Sequence, residues 1–167
     1  QLVSKVIASG IEVEIRNSRS VGIVNVDPDL VEQSIVHMAI NAADAMEGQG
    51  RLVISTGSCE LSRAERRRLQ AHLPEAERHD GAFAVLSVQD TGCGMSDEVR
   101  ERIFEPFFST KGRHVNAGLG LATVYGIMQQ HRGWIVVDTA LGKGTTFHLY
   151  LPALPTSTAT GGEEAAE

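Results

Sequence analysis

Asp90-Thr91-Gly92-Cys93-Gly94 opens, and Gly118-Leu119-Gly120-Leu121 closes, the stretch on which the reading of this chain turns. Between them lies a charged, aromatic segment that includes Ile103-Phe104-Glu105-Pro106-Phe107-Phe108-Ser109-Thr110-Lys111. Glycine lets backbone N–H groups approach phosphate oxygens closely, so two glycine pairs around such a segment predict a flap over a phosphate-bearing ligand. Two commoner phosphate motifs are excluded. No Gly-x-x-x-x-Gly-Lys followed by Ser or Thr occurs, and Thr123 stands where a dinucleotide fingerprint beginning at Gly118 would need its third glycine.

Working outward, Ala82–Val88 is a nearly continuous apolar run, expected to be a strand buried on both sides that delivers Asp90 to its end. Upstream, Asp27 is a candidate N-cap, Pro28 suits a first helical turn, and a helix is expected to run to about Glu47, ended by Gly48-Gln49-Gly50. At about 100° per residue, Val31, Ile35, Met38, Ala42 and Ala45 form its core stripe, while His37, Asn41 and Asp44 form a narrow polar flank roughly 90° away. Small alanines leave room beside Asn41 for a ligand.

The remaining elements follow from period and punctuation. Ile11–Ile15 and Val21–Val26 are expected to be two paired strands, Arg51–Thr56 a third, and Leu61–Leu69 a short surface helix whose Arg66–Arg68 cluster is a solvated face. Ser96 caps a helix from Asp97 to about Ile103, and Glu105–Ala117 is a loop. A helix from Gly118 to His131 carries Leu121, Val124, Ile127 and Met128 as its core stripe. Strands Trp134–Thr139 and Thr145–Leu151 are joined by Ala140-Leu141-Gly142-Lys143-Gly144, a hairpin-like turn. The expected domain is residues 1–152, with 153–167 a disordered tail or linker.

Composition sets the outer limits. The 167 residues, 42% hydrophobic, suffice for one domain with a core. A balance of 15 basic and 21 acidic residues, net −6, argues against nucleic acid as partner. Cys59 and Cys93 lack metal-type spacing and are expected to be reduced thiols in a cytoplasmic protein. No apolar run approaches the roughly 20 residues that span a bilayer, so direct membrane insertion by this chain is not expected. The chain opens at Gln1 without Met, as an excised piece of a longer protein would.

The order of these motifs resembles the catalytic ATP-binding domain of two-component sensor histidine kinases, in the GHKL group that also holds type II topoisomerases and MutL-type mismatch-repair ATPases. Asn41-Ala42-Ala43-Asp44-Ala45-Met46 matches the family's N box, Asp90-x-Gly92-x-Gly94 its G1 box, and Phe104-Glu105-Pro106-Phe107-Phe108 its F box. Gly118-Leu119-Gly120-Leu121 matches the G2 box and Gly144-Thr145-Thr146-Phe147 the last glycine motif. The resemblance covers roughly Gly10–Pro152, and Phe107–Lys111 with Ala122–Ile127 looks like the nitrogen-regulator and hybrid-kinase branch.

The resemblance implies an α+β fold, a two-layer α/β sandwich of the Bergerat type. Its mixed, mostly antiparallel sheet of about five strands would be covered by three principal helices and carry an ATP lid. It implies ATP or ADP with Mg²⁺ as ligands: Asp90 on the adenine amino group, and Asp44, Gly92, Gly94, Gly118, Leu119, Gly120 and Thr146 as further nucleotide contacts. Asn41 would hold the metal, Lys111 would supply charge to the γ-phosphate, and His37 would have a catalytic role; Phe104, Phe107 and Phe108 would anchor the flap. Three departures stand out. His37 replaces the usual Asn, Asn116-Ala117 replaces the usual Gly-Thr, and no segment resembles the helical hairpin carrying the phosphoacceptor histidine. The implied partners are that hairpin domain, supplied by the parent protein, and a downstream response regulator or receiver domain. A second reading is a degenerate nucleotide-binding regulatory module without kinase activity.

Overall fold

The computed structural model describes residues 7, 9–71, 79–110 and 118–155. In chain order the elements are β1 (Ile11–Asn17), α1 (Pro28–Ala45), β2 (Gly50–Cys59), α2 (Arg63–Leu69), β3 (Phe83–Asp90), α3 (Asp97–Arg102), α4 (Gly120–Gln130), β4 (Trp134–Thr139) and β5 (Thr145–Pro152). The strands form one sheet in the order β1-β2-β3-β5-β4. β1 and β2 are parallel, joined through α1, and every other neighbouring pair is antiparallel.

Local chemistry explains the helices. Asp27 Oδ1 accepts the N–H groups of Asp29 at 2.9 Å and Leu30 at 3.5 Å, a cap worth about 1 kcal/mol. Ser62 and Glu65 form a reciprocal capping box on α2, and Ser96 accepts from Val99 N–H on α3. α1 buries Ser34, Met38, Ala39 and Ala42, with Val31 and Ile35 half-buried against the core. Ser34 is tolerated there because its hydroxyl donates to the Leu30 carbonyl at 2.9 Å.

The core is a single layer between sheet and helices. Leu52, Ile54, Leu86, Val88, Phe147, Leu149 and Leu151 meet Met38 and Ala42 of α1, Val124 and Met128 of α4, and Ile103 just past α3. Truncating a fully buried member such as Leu52 to Ala would cost about 2–5 kcal/mol. Thus α1, α3 and α4 cover one face, which is the two-layer α+β sandwich that the motif order implies.

Three expectations are corrected. Val21–Val26 is not a strand paired with β1: only Val24 forms a bridge, to Ala153, because β1 takes β2 as its neighbour through the α1 crossover. β3 is not buried on both sides along its length. Its helix-facing residues are buried, but Val85, Ser87 and Gln89 look out on a face that the helices leave open. The body also continues past Pro152: Ala153 is 6% exposed, its N–H donates to Ala82 O, and Leu154 N–H donates to Ile23 O. Residues 156–167 of the expected tail lie outside the described residues.

Candidate nucleotide site

The end of β3 meets the C-terminus of α1 through the loop that follows Asp90. Cys93 N–H donates to the Ala45 carbonyl at 3.0 Å, satisfying an acceptor that the helix leaves open. Gly92 makes this approach possible, since a Cβ there would lie 2.7 Å from the Ala45 carbonyl carbon. A cavity of about 430 Å³ opens between this loop, the polar flank of α1 and the start of α4. His37, Asn41 and Asp44 line it from α1, Asp90 from the end of β3, Gly94 from the loop, Gly118, Leu119 and Gly120 from the start of α4, and Thr145 from β5.

Asp90 is the buried charge of the cavity, 5% exposed. Its Oδ1 accepts two backbone N–H groups, Gly92 at 2.8 Å and Thr145 at 3.2 Å. Among the described residues Oδ2 has no hydrogen-bond partner, and it is not among the sealed, unsatisfied polar atoms, so it meets the cavity. Burial raises the pKa of this carboxyl above the ordinary carboxylate range, and the Gly92 and Thr145 N–H groups partly offset the rise. The result is a carboxylate with one oxygen fixed and one left to accept from a donor inside a largely apolar cavity.

At the other end, α4 begins at Gly120 with Leu119 as its N-cap, and no side chain caps it. Among the described residues its first N–H groups have no partner, and with the positive dipole end they border the cavity, an arrangement suited to phosphate. His37 lies against this turn: the Cβ position of Gly120 is 3.3 Å from His37 Nδ1. Gly118 adopts φ +65, and a Cβ there would sit 2.6 Å from the Phe107 carbonyl carbon. Phe107 N–H in turn donates to the Gly118 carbonyl at 3.0 Å, so the two ends of the segment between them are clasped together.

The structure thus brings eight of the expected residues to one cavity, and Gly92 supports it from behind. Thr146 is corrected by one position: residues alternate along β5, so Thr146 faces away from the helices while Thr145 is buried and lines the cavity. Lys111, Asn116 and Ala117 lie outside the described residues. Phe107, expected to bury as an anchor, is 76% exposed. Phe108 lines the cavity beneath the Arg102 guanidinium, 4.4 Å from its ring centre, and Phe104 packs on Tyr125 at 5.4 Å. Sequence reasoning missed the apolar floor of Met95, Val99, Ile103 and Phe147, although the four-residue spacing of Val99 and Ile103 signals one helical face.

No group of three or more His, Cys, Asp or Glu residues suited to a metal ion occurs among the described residues. The site offers an amide, Asn41, with the Asp44 carboxylate on the same helix flank. That donor set fits a hard cation that takes most of its ligands from phosphate and water, as Mg²⁺ does.

Comparison with known proteins agrees with this geometry. Residues 26–155 match the family described as histidine kinase-, DNA gyrase B- and HSP90-like ATPase. The sensor kinase CckA of Brucella abortus is 39% identical over 153 residues, covering 92% of this chain and 16% of the relative, so the chain spans under a fifth of that protein's length. Among solved structures, a mycobacterial sensor histidine kinase, MprB, superposes with a TM-score of 0.65 at 23% identity, covering 92% of this chain and 93% of the other. Full-length ShkA in complex with AMPPNP superposes with 0.66 at 25%, covering 91% of this chain and 28% of the other. The chain belongs to the histidine kinase-, DNA gyrase B- and HSP90-like ATPase family, as a domain of the kind found in sensor histidine kinases.

Proposed function

We propose that this domain binds Mg-ATP and donates its γ-phosphoryl group to a histidine on a separate phosphoacceptor hairpin domain of the parent protein, in two-component signalling. The observation that carries the reading is Asp90: a buried carboxylate with one oxygen held by two backbone N–H groups and the other open to the cavity. That oxygen matches the exocyclic amino group of adenine. Gly94 and Thr145 bound the base end, and Gly118, Leu119 and Gly120 supply N–H groups at the phosphate end. The AMPPNP in the ShkA structure is a triphosphate analogue of the expected kind.

Asn41, with Asp44 beside it, would hold Mg²⁺, which when bound offsets phosphate charge. His37, against Gly120, orients a phosphate oxygen, and Lys111 supplies positive charge to the γ-phosphate. The acceptor imidazole nitrogen attacks the γ-phosphorus in line, a P–N bond forms, and the bond to the bridging oxygen breaks as ADP leaves with the electron pair. The domain contributes chiefly position and a water-poor cavity. The chain alone completes no autophosphorylation. A response regulator or receiver domain takes the phosphoryl group onward, on the cytoplasmic side. No helix among the described residues is long and apolar enough to cross a membrane.

Titration calorimetry with ATP and ADP, with and without Mg²⁺, tests the binding half. Transfer of labelled phosphate to the parent's hairpin domain tests the chemistry. Absence of Mg²⁺-dependent nucleotide binding overturns the reading. Binding without transfer favours the regulatory-module alternative.

A further inference from the structure

Cys93 stands in the cavity with no task in phosphoryl transfer. Its backbone is fixed from two sides: its N–H donates to Ala45 O at 3.0 Å, and its carbonyl accepts from Gly142 N–H at 2.7 Å. The residue is held at the cavity wall between Asp90 and Gly94, and it is exposed and free of any disulfide. The other free thiol, Cys59, ends β2 opposite Phe83, outside the cavity and only partly exposed. Burial, and then the Glu65 charge, push the Cys59 thiol up, so it carries less of the reactive thiolate than an ordinary cysteine.

A second feature marks the place beside Cys93 as ligand space. Asp90, three residues away and 5% exposed, turns Oδ2 into the same cavity without a partner among the described residues. A thiol adduct formed at Cys93 and a ligand held by Asp90 therefore draw on one volume of about 430 Å³, within the range of small-molecule sites.

We propose that Cys93 is a modification site in competition with nucleotide: a group attached there from a small-molecule disulfide excludes nucleotide from the cavity, and bound nucleotide shields the thiol. This rests on the nucleotide reading above. In the reaction the thiol proton passes to solvent and the Cys93 Sγ thiolate attacks one sulfur of the reagent. The reagent's S–S bond breaks, its other sulfur departs as thiolate with the electron pair, and a new S–S bond joins the group to Cys93. The Cys93 sulfur is oxidised, the departing sulfur is reduced, and excess dithiothreitol reverses the step.

The test uses the full chain carrying Cys59→Ser, treated with bis(hydroxyethyl) disulfide, adduct formation being followed by intact mass and nucleotide binding by calorimetry. One adduct is expected, on Cys93. Mg-ATP at ten times its Kd is expected to slow its formation about 11-fold, since only the free fraction reacts. The adduct is expected to abolish the calorimetric signal, and dithiothreitol to restore it. The proposal is overturned if calorimetry shows Mg-ATP bound while the adduct forms at an unchanged rate, or if the adduct-bearing protein binds Mg-ATP as before. If the untreated protein binds no nucleotide, the nucleotide reading itself has failed and the proposal falls with it.

Discussion

Asp90 Oδ1 accepts the backbone N–H of Thr145 at 3.2 Å, tying the last residue of β3 to the first residue of β5 across 55 positions of sequence. The same oxygen takes the Gly92 N–H at 2.8 Å, so the orientation of the carboxylate is set by backbone before any ligand arrives. Asp90→Asn keeps an oxygen for these two donors but turns an N–H₂ toward the cavity, donor facing the adenine amino donor. Nucleotide affinity should fall about 5- to 150-fold, the roughly 1–3 kcal/mol of an unpaired buried donor. A triphosphate with a keto oxygen in place of that amino group should lose less, or gain. Folding should not suffer, because the folded protein raises the pKa of Asp90 through burial. A raised carboxyl holds its proton more tightly folded than unfolded, so stability falls as pH climbs from the ordinary carboxylate range through the raised value, and the charge remains a cost at neutral pH. The Asn variant lacks that cost. Its melting temperature at neutral pH should match or exceed the parent's, and wild-type nucleotide affinity should weaken as pH drops through the raised value. Equal losses of affinity and melting temperature in the variant would contradict this account.

His131 offers a test of the scaffold apart from the site. Asp27 N–H donates to His131 Nε2 at 3.1 Å, so the proton sits on Nδ1, which donates to the Ile127 carbonyl at 2.8 Å. One neutral imidazole thereby fastens the C-terminus of α4 to the N-cap of α1. His131→Ala removes both bonds and should cost about 1–3 kcal/mol, two net hydrogen bonds' worth, while leaving nucleotide affinity within a factor of two or so. Trp134, the single tryptophan, 4% exposed and stacked on Tyr150 at 5.4 Å, provides the fluorescence readout for urea unfolding. An unchanged midpoint would mean the clasp is not contributing.

What could be read in the sequence was local chemistry and motif order. Asp27 and Ser96 announce their helices because capping depends on residues a few positions away. The cavity was legible because each motif carries its own constraint: Gly92 must clear Ala45, and Gly118 must take a positive φ beside Phe107. Long-range pairing was not legible. Nothing in Ile11–Ile15 says that its neighbour is β2, reached only after an 18-residue helix, and not the nearer Val21–Val26. Thr145 and Thr146 are chemically identical, and only register decides which one faces the helices; a slip of one residue exchanges the faces. The surroundings of Cys93 depend on Ala45 and Gly142, each more than forty residues away, so its place in the cavity had no local signal.

Gly118→Ala separates the two ends of the ligand. The added methyl would sit 2.6 Å from the Phe107 carbonyl carbon and force a non-glycine residue to φ +65, a strain of about 1–2 kcal/mol concentrated at the clasp between Phe107 and Gly118. The start of α4 shifts, and with it the N–H groups offered to phosphate, while Asp90 and its backbone partners lie on other elements. ATP and ADP should each bind about tenfold more weakly, the effect of roughly 1.4 kcal/mol, and adenosine should bind as before. An equal loss for adenosine would show that the substitution disturbs the whole cavity and not its phosphate end.

His37 decides how far this domain departs from its relatives. It lies one turn before Asn41 on the polar flank of α1, with Nδ1 3.3 Å from the Cβ position of Gly120, and so faces the first turn of α4. An imidazole there offers one directed donor to a phosphate oxygen, as the amide of the usual Asn would, whereas Ala offers none and leaves an empty pocket beside the helix. In the reconstituted reaction with the parent's hairpin domain, His37→Ala should slow phosphoryl transfer about tenfold or more, a loss of roughly 1.4 kcal/mol of transition-state interaction, with ATP affinity less affected. His37→Asn should recover most of that rate, because it restores a donor at a similar reach. Gly120→Ala, which pushes a methyl toward the imidazole, should mimic part of the His37→Ala defect and should add little to it in the double variant, since both act on one contact. Independent, additive losses in that cycle would place His37 outside the phosphate end of the site.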